Sequence, residues 1–140
     1  MSIELHVLLQ SSRLPDPSQW QAEIDRLGFD VKLDPDFTAA THSGYLPVML
    51  NGSDSGFEFD VGPASEIAET YPDFVRLSDG QDCSANFSWG GDLDEMACAM
   101  VASAALARLC DGVWFDPQEG KCHDADGAIE AARAAIEDAD

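Results

Sequence analysis

The chain has 140 residues, 45% of them hydrophobic, so we expect one folded domain over residues 1–140 rather than a disordered chain. Its 27 acidic and 7 basic residues give a formal net charge of −20, which argues against nucleic acids and anionic membranes as partners. It has no run of eighteen apolar residues and no secretory signal, so we expect a cytoplasmic protein.

The first quarter of the chain predicts a β–α–β unit. Residues 3–10 alternate between apolar and polar side chains, as in a half-buried strand. Asp16 is a good N-cap for a helix, and Gln19 completes a capping box with it. Gly28 ends that helix, and residues 29–33 alternate again as a second strand.

The next part of the chain predicts a hairpin and a short helix. Residues 45–50 and 57–61 have strand patterns and are joined by a polar loop at 51–56. Pro47 places the first of these strands at an edge or a bulge. Residues 63–69 predict a short helix.

The longest apolar run, residues 96–110, predicts a helix that is buried on nearly all sides. Asp92 is its expected N-cap. Strands predicted at 82–89 and 113–115 flank the helix and form a second β–α–β unit. Residues 121–123 can add a further strand, and 124–139 predict an alanine-rich helix packed weakly at the edge.

These elements predict an α+β fold, with the helices on one face of a mainly antiparallel sheet. A ferredoxin-like (split β–α–β) fold, or an elaborated variant of it, is the expected topology.

Catalytic motifs are missing from the sequence: it has no Gly-x-Ser-x-Gly, no His-Glu-x-x-His and no phosphate-binding loop. Cys122 and His123 form the one compact cluster of metal-type or nucleophile-type groups. Adjacent residues on a strand point to opposite faces, which argues against a shared site. We therefore predict no catalytic residue, no metal and no cofactor.

Three interpretations of the protein's function remain open. Acids combined with aromatic residues suit a basic protein partner, with candidate contacts at Asp54, Glu58, Asp60, Asp116 and Glu119. A cleft near the end of the sheet would instead make the protein an enzyme or a small-ligand binder, with Asp111, Asp116 and His123 as its candidate residues. In the third reading, the acidity is only an adaptation to salt in a housekeeping domain.

Residues 87–120 read FSWGGDLDEMACAMVASAALARLCDGVWFDPQEG: an alternating strand, an alanine-rich helix, then a Gly-Val-x-x-Asp-Pro-Gln strand and turn. This quarter of the chain resembles the C-terminal part of small uncharacterised bacterial proteins, some of which are immunity-type partners of secreted toxins. The resemblance carries no active site, and it implies a protein partner. We therefore expect a non-enzymatic immunity or inhibitor protein that blocks a basic toxin or effector through an acidic face.

Overall fold

A single antiparallel sheet organises the chain. The computed structural model describes residues 2–77 and 80–139. Its strands are β1 (Ile3–Leu9), β2 (Val31–Leu33), β3 (Gly44–Leu50), β4 (Ser53–Pro63), β5 (Cys83–Trp89), β6 (Val113–Asp116) and β7 (Lys121–His123). Its helices are α1 (Pro17–Arg26), α2 (Ala64–Thr70), α3 (Leu93–Cys110) and α4 (Ala125–Ala139). The α+β class and the antiparallel sheet are confirmed.

The strands are ordered β2-β3-β4-β5-β1-β6-β7, and each neighbouring pair is antiparallel. The chain leaves β5, crosses through α3 and returns as β6, with β1 lying between the two strands. Three strands separate β1 from β2, because β2 to β5 form a meander. The specifically ferredoxin-like topology is not confirmed.

Helix α1 begins and packs as its sequence predicts. The Asp16 carboxylate accepts a hydrogen bond from the Gln19 backbone N–H, and the Gln19 side chain accepts one from the Asp16 N–H. Trp20 and Ile24 are fully buried. The Trp20 indole N–H donates to the Ala102 carbonyl at 2.9 Å, which joins α1 to α3.

Helix α3 is buried on nearly all sides, as predicted. Asp92 caps its start by accepting hydrogen bonds from two backbone N–H groups. Most of its buried residues are alanines, and their small side chains let neighbouring elements approach closely. Helix α4 buries Ala128, Ile129, Ala132 and Ala135 in the same core. Helix α4 lies near β6 and β7 at the edge of the sheet, as expected, but its packing is not weak, because it also lies against α3.

The helices do not all lie on one face of the sheet, which corrects the predicted arrangement. Helices α1, α3 and α4 cover the inner face, where the main core lies. Ala64 of α2 and Val75 pack with Leu8 and Phe115 in a second cluster on the opposite, outer face. Leu8 and Phe115 are apolar residues at outward positions, so that part of the outer face needs its own cover.

The hairpin turn between β3 and β4 is shorter than predicted. Asn51 and Gly52 alone form it, with φ angles of 51° and 83°, and Leu50 pairs with Ser53. Positive φ at both central residues is the signature of the Asn-Gly hairpin turn. Residues 53–56, which were predicted as loop, therefore belong to β4.

Candidate functional site

The outer face of β4 carries a row of acids. Side chains alternate along the strand, so Phe57 and Phe59 enter the core while Asp54, Glu58 and Asp60 point outward and are exposed. Three of the predicted partner contacts therefore share one face. The tight Asn-Gly turn places Asp54 there, because it brings residues 53–56 into the strand.

Tyr45, on β3, stands beside this row and is fixed in place. Its ring lies over Gly56, where a Cβ atom would fall 2.4 Å from the tyrosine oxygen. The hydroxyl donates a hydrogen bond to the Ser55 carbonyl at 2.8 Å. Tyr45 is nevertheless 49% exposed. A held but exposed aromatic ring loses little conformational freedom when it binds a partner.

Carboxylates surround the Tyr45 hydroxyl. Loss of hydration is the largest cause that raises the pKa of Tyr45, and the charge of Glu95 comes next. Asp54 and Glu58 shift the Tyr45 pKa in the same direction. A depression of about 230 Å³ opens between Tyr45, Glu58 and Glu95. Its negative walls and aromatic side favour a cationic group.

The apolar part of this surface continues along β3. Pro47 and Met49 point outward, and Met49 is 41% exposed. A groove of about 410 Å³ runs beside them toward Lys32 on β2. The Lys32 ammonium is bound to the Asp25 carboxylate at 2.9 Å. Strands β1, β3, β4 and β5 contain no lysine or arginine, so the outer face is strongly negative.

A polar network holds Asp60 in the row. The Asn86 side-chain amide donates to Asp60 at 2.8 Å, and its oxygen accepts from Ser84 at 2.6 Å. His6 Nδ1 lies 2.7 Å from the same Asn86 oxygen. The contact between His6 and Asn86 depends on the register of two strands that are distant in sequence, so a pattern along the chain does not reveal it.

The second ring nitrogen of His6, Nε2, does not take part in this network. Nε2 is buried without a hydrogen-bond partner among the described residues. The nearest charge is the Glu4 carboxylate, at 3.7 Å.

Asp116 and Glu119 occupy a different place. Asp116 shares the inner side of β6 with Trp114 and lines a groove of about 380 Å³ between the sheet, α3 and α4. Glu119 also lines this groove. The five predicted partner contacts therefore divide between the outer face of the sheet and a groove on its helix side.

The alternative site is only partly assembled. Asp111 lies beyond α3 with a φ of 50°, ahead of β6, whereas Asp116 ends that strand. At about 3.3 Å per residue, roughly 15 Å of chain separates the two. His123 lies on the same side as Asp116, and its ring is tilted at 54° to that of Trp114, with 5.4 Å between the centroids. The fold thus places Asp116 and His123 on one side and leaves Asp111 apart.

Other site types find no support in the part of the chain that the structure describes. Within residues 2–77 and 80–139, no three His, Cys, Asp or Glu side chains are grouped so as to hold a metal ion. None of the helices in these residues combines the length and apolar character needed to span a membrane. All four cysteines are free thiols, and Cys122 is the exposed one.

Comparison of the chain with protein-family models gives no match, and comparison with curated protein sequences gives no significant match.

Proposed function

We propose that this is a non-enzymatic, cytoplasmic protein that binds a basic protein through the outer face of β3 and β4. The observation that carries the proposal is Tyr45, an exposed ring held over Gly56 and surrounded by Asp54, Glu58 and Glu95. Charge by itself selects no face, because acids occur on most elements of the chain. The combination of fixed aromatic, exposed apolar and acidic side chains occurs on this face.

A lysine or arginine of the partner would enter the depression beside Tyr45. There it meets the ring of Tyr45 and the carboxylates of Glu58 and Glu95. Cation–π contact supplies about 0.5–2 kcal/mol, depending on how far water is excluded. Pro47 and Met49 extend the contact with apolar surface, and the remaining acids raise the association rate by electrostatic steering.

Residues 87–120 resemble part of small uncharacterised bacterial proteins, some of which are immunity-type partners of secreted toxins, and this supports a role in inhibition. Covering the basic active site of a toxin or effector would inhibit it without any chemistry by the inhibitor itself. We also infer that the fold is an elaborated split β–α–β arrangement. The position of β1 between β5 and β6 supports that inference, and the extra strands of the β2–β5 meander are the elaboration.

The test uses matched baits in pull-downs from a lysate of the native organism, at low and at high salt. Tyr45→Ala removes the ring, and Glu58→Lys reverses one charge beside it. Glu130→Lys makes the same charge change on α4, on the other side of the sheet. We expect a basic protein that binds the wild type and the Glu130 variant, is lost at least tenfold from the other two, and is released by salt.

Two results would contradict this proposal. Equal recovery by all four baits would show that neither Tyr45 nor Glu58 contributes to binding, as expected if the acidity is an adaptation to salt. Recovery of no protein at either salt concentration would turn attention to small ligands.

A further inference from the structure

The groove on the helix side of the sheet has an apolar floor. Trp89 at the end of β5, together with Met96 and Met100 of α3, lines it. The facing wall, on α4, is built of alanines, among them Ala134, whose short side chains leave the space unfilled. A volume of about 380 Å³ lies within the range of pockets that take small ligands.

The rim of the same groove is negative. Asp116, Glu119 and Asp138 lie around it, and no lysine, arginine or histidine stands among its described lining residues. Lys121 is opposite Asp116 in the strand register, yet the described residues show no ion pair between the two. The rim therefore presents carboxylates that form no ion pair with any described residue, above an apolar floor.

Asp116 is the carboxylate most affected by this setting. It is half-buried, and its described hydrogen bond comes from the Gln118 backbone N–H at 2.9 Å. Burial is the main cause that raises the pKa of Asp116, and the charge of Glu119 adds to it. Backbone hydrogen bonds from residues 118 and 119, and to a smaller extent the charge of His123, act in the opposite direction. A bound positive charge would favour the ionised form of Asp116 and offset the charge of Glu119.

We propose that this groove binds a small organic cation, in which one ammonium or guanidinium group is carried on a compact apolar body. The apolar body packs on Trp89, Met96 and Met100, and the charged group lies at the rim beside Asp116. The occupant follows from charge complementarity and from the volume. The groove lies on the helix side of the sheet, whereas the protein partner is proposed to bind the outer face. Trp89 lines both this groove and the depression beside Tyr45.

The experiment follows methionine methyl groups by NMR during titration with 2-phenylethylammonium. Its uncharged counterpart, 2-phenylethanol, has the same apolar body. Met96 and Met100 report on the groove, while Met49 on the outer face is an internal control. We expect saturable shifts of Met96 and Met100 alone, and binding of the cation at least tenfold tighter than that of the alcohol.

Two variants separate the contributions of charge and shape. Asp116→Asn should weaken the cation about tenfold and leave the alcohol unchanged, whereas Asp30→Asn, an equal charge change at an exposed position, should change neither. Ala134→Leu adds volume at an exposed helix position and should abolish binding of both probes. Circular dichroism establishes that each variant is folded.

The proposal is overturned by equal affinity for the two probes, by shifts of Met49 that match those of Met96, or by full affinity in the Asp116 variant. Absence of saturable shifts up to about 10 mM of the cation would overturn it as well, because the dissociation constant would then exceed about 10 mM.

Discussion

Replacing Gly56 by alanine tests the packing that holds Tyr45. The new Cβ would lie 2.4 Å from the tyrosine oxygen and 2.5 Å from the Leu46 carbonyl oxygen. Tyr45 is exposed and can swing aside, at the loss of its bond to Ser55. Leu46 is part of the β3–β4 ladder, so its carbonyl cannot move without disturbing the pairing.

The expected cost has two parts. Overpacking against the backbone costs about 1–3 kcal/mol, and alanine at a φ of 153° costs about 1–3 kcal/mol more. Gly56→Ala should therefore lower the free energy of unfolding by about 2–6 kcal/mol. This is a large share of the roughly 5–15 kcal/mol that stabilises a typical domain.

Urea unfolding followed by circular dichroism measures this cost as a shift of the midpoint at constant slope. Gly91→Ala is the matched control, because no heavy atom lies within 4 Å of its added Cβ and its φ is not positive. It should remain within about 0.5 kcal/mol of the wild type. Tyr45→Ala should rescue Gly56→Ala only partly, since the contact with Leu46 remains. A loss below about 1 kcal/mol for Gly56→Ala would refute the described packing.

Three further predictions concern stability. The buried Trp114 indole N–H donates to the Ser103 hydroxyl at 2.8 Å. Ser103→Ala removes that acceptor and should lower the free energy of unfolding in urea by about 1–3 kcal/mol. An unchanged midpoint would contradict the hydrogen bond. Burial raises the pKa of Asp116, so the folded state holds the carboxyl proton of Asp116 more tightly than the unfolded state does. The free energy of unfolding therefore falls as pH rises from the unfolded-state pKa of Asp116 to its higher folded-state pKa. Asp116→Asn should therefore unfold at higher urea than Asp30→Asn at pH 7, and the gap should close below about pH 4; a gap that does not depend on pH would argue against the burial. Asp92→Ala removes the cap of α3 and should cost about 1 kcal/mol, with a lower thermal midpoint as the readout; an unchanged midpoint would mean that the cap contributes nothing.

Local signals predicted most of the secondary structure. The capping box at Asp16 located α1, and the apolar run that follows Asp92 located α3, because caps and periodicity act over a few residues. The Asn51-Gly52 turn also carries a local signal, the Asn-Gly pair, which the longer predicted loop overlooked.

The candidate site depends on contacts between residues far apart in sequence. Tyr45 gains its role from Gly56 beneath it and from Glu95, which belongs to another element. Similarly, Leu8 marks an outward apolar position, but only the strand order shows that α2 and Val75 cover it. Strand register and order are set by the whole sheet, so a pattern read along the chain does not contain them.

The central place of β1 in the sheet has a consequence for how the chain folds while it is being synthesised. Strand β1 leaves the ribosome before both of its neighbours, β5 and β6, and roughly 100 residues separate it from the second of them. At about 5–20 residues per second, synthesis leaves this apolar strand without its second partner, β6, for roughly 5–20 s. Nascent chains that end before β6 should therefore bind chaperones, and protection of β1 from proteases should appear only once β6 has emerged.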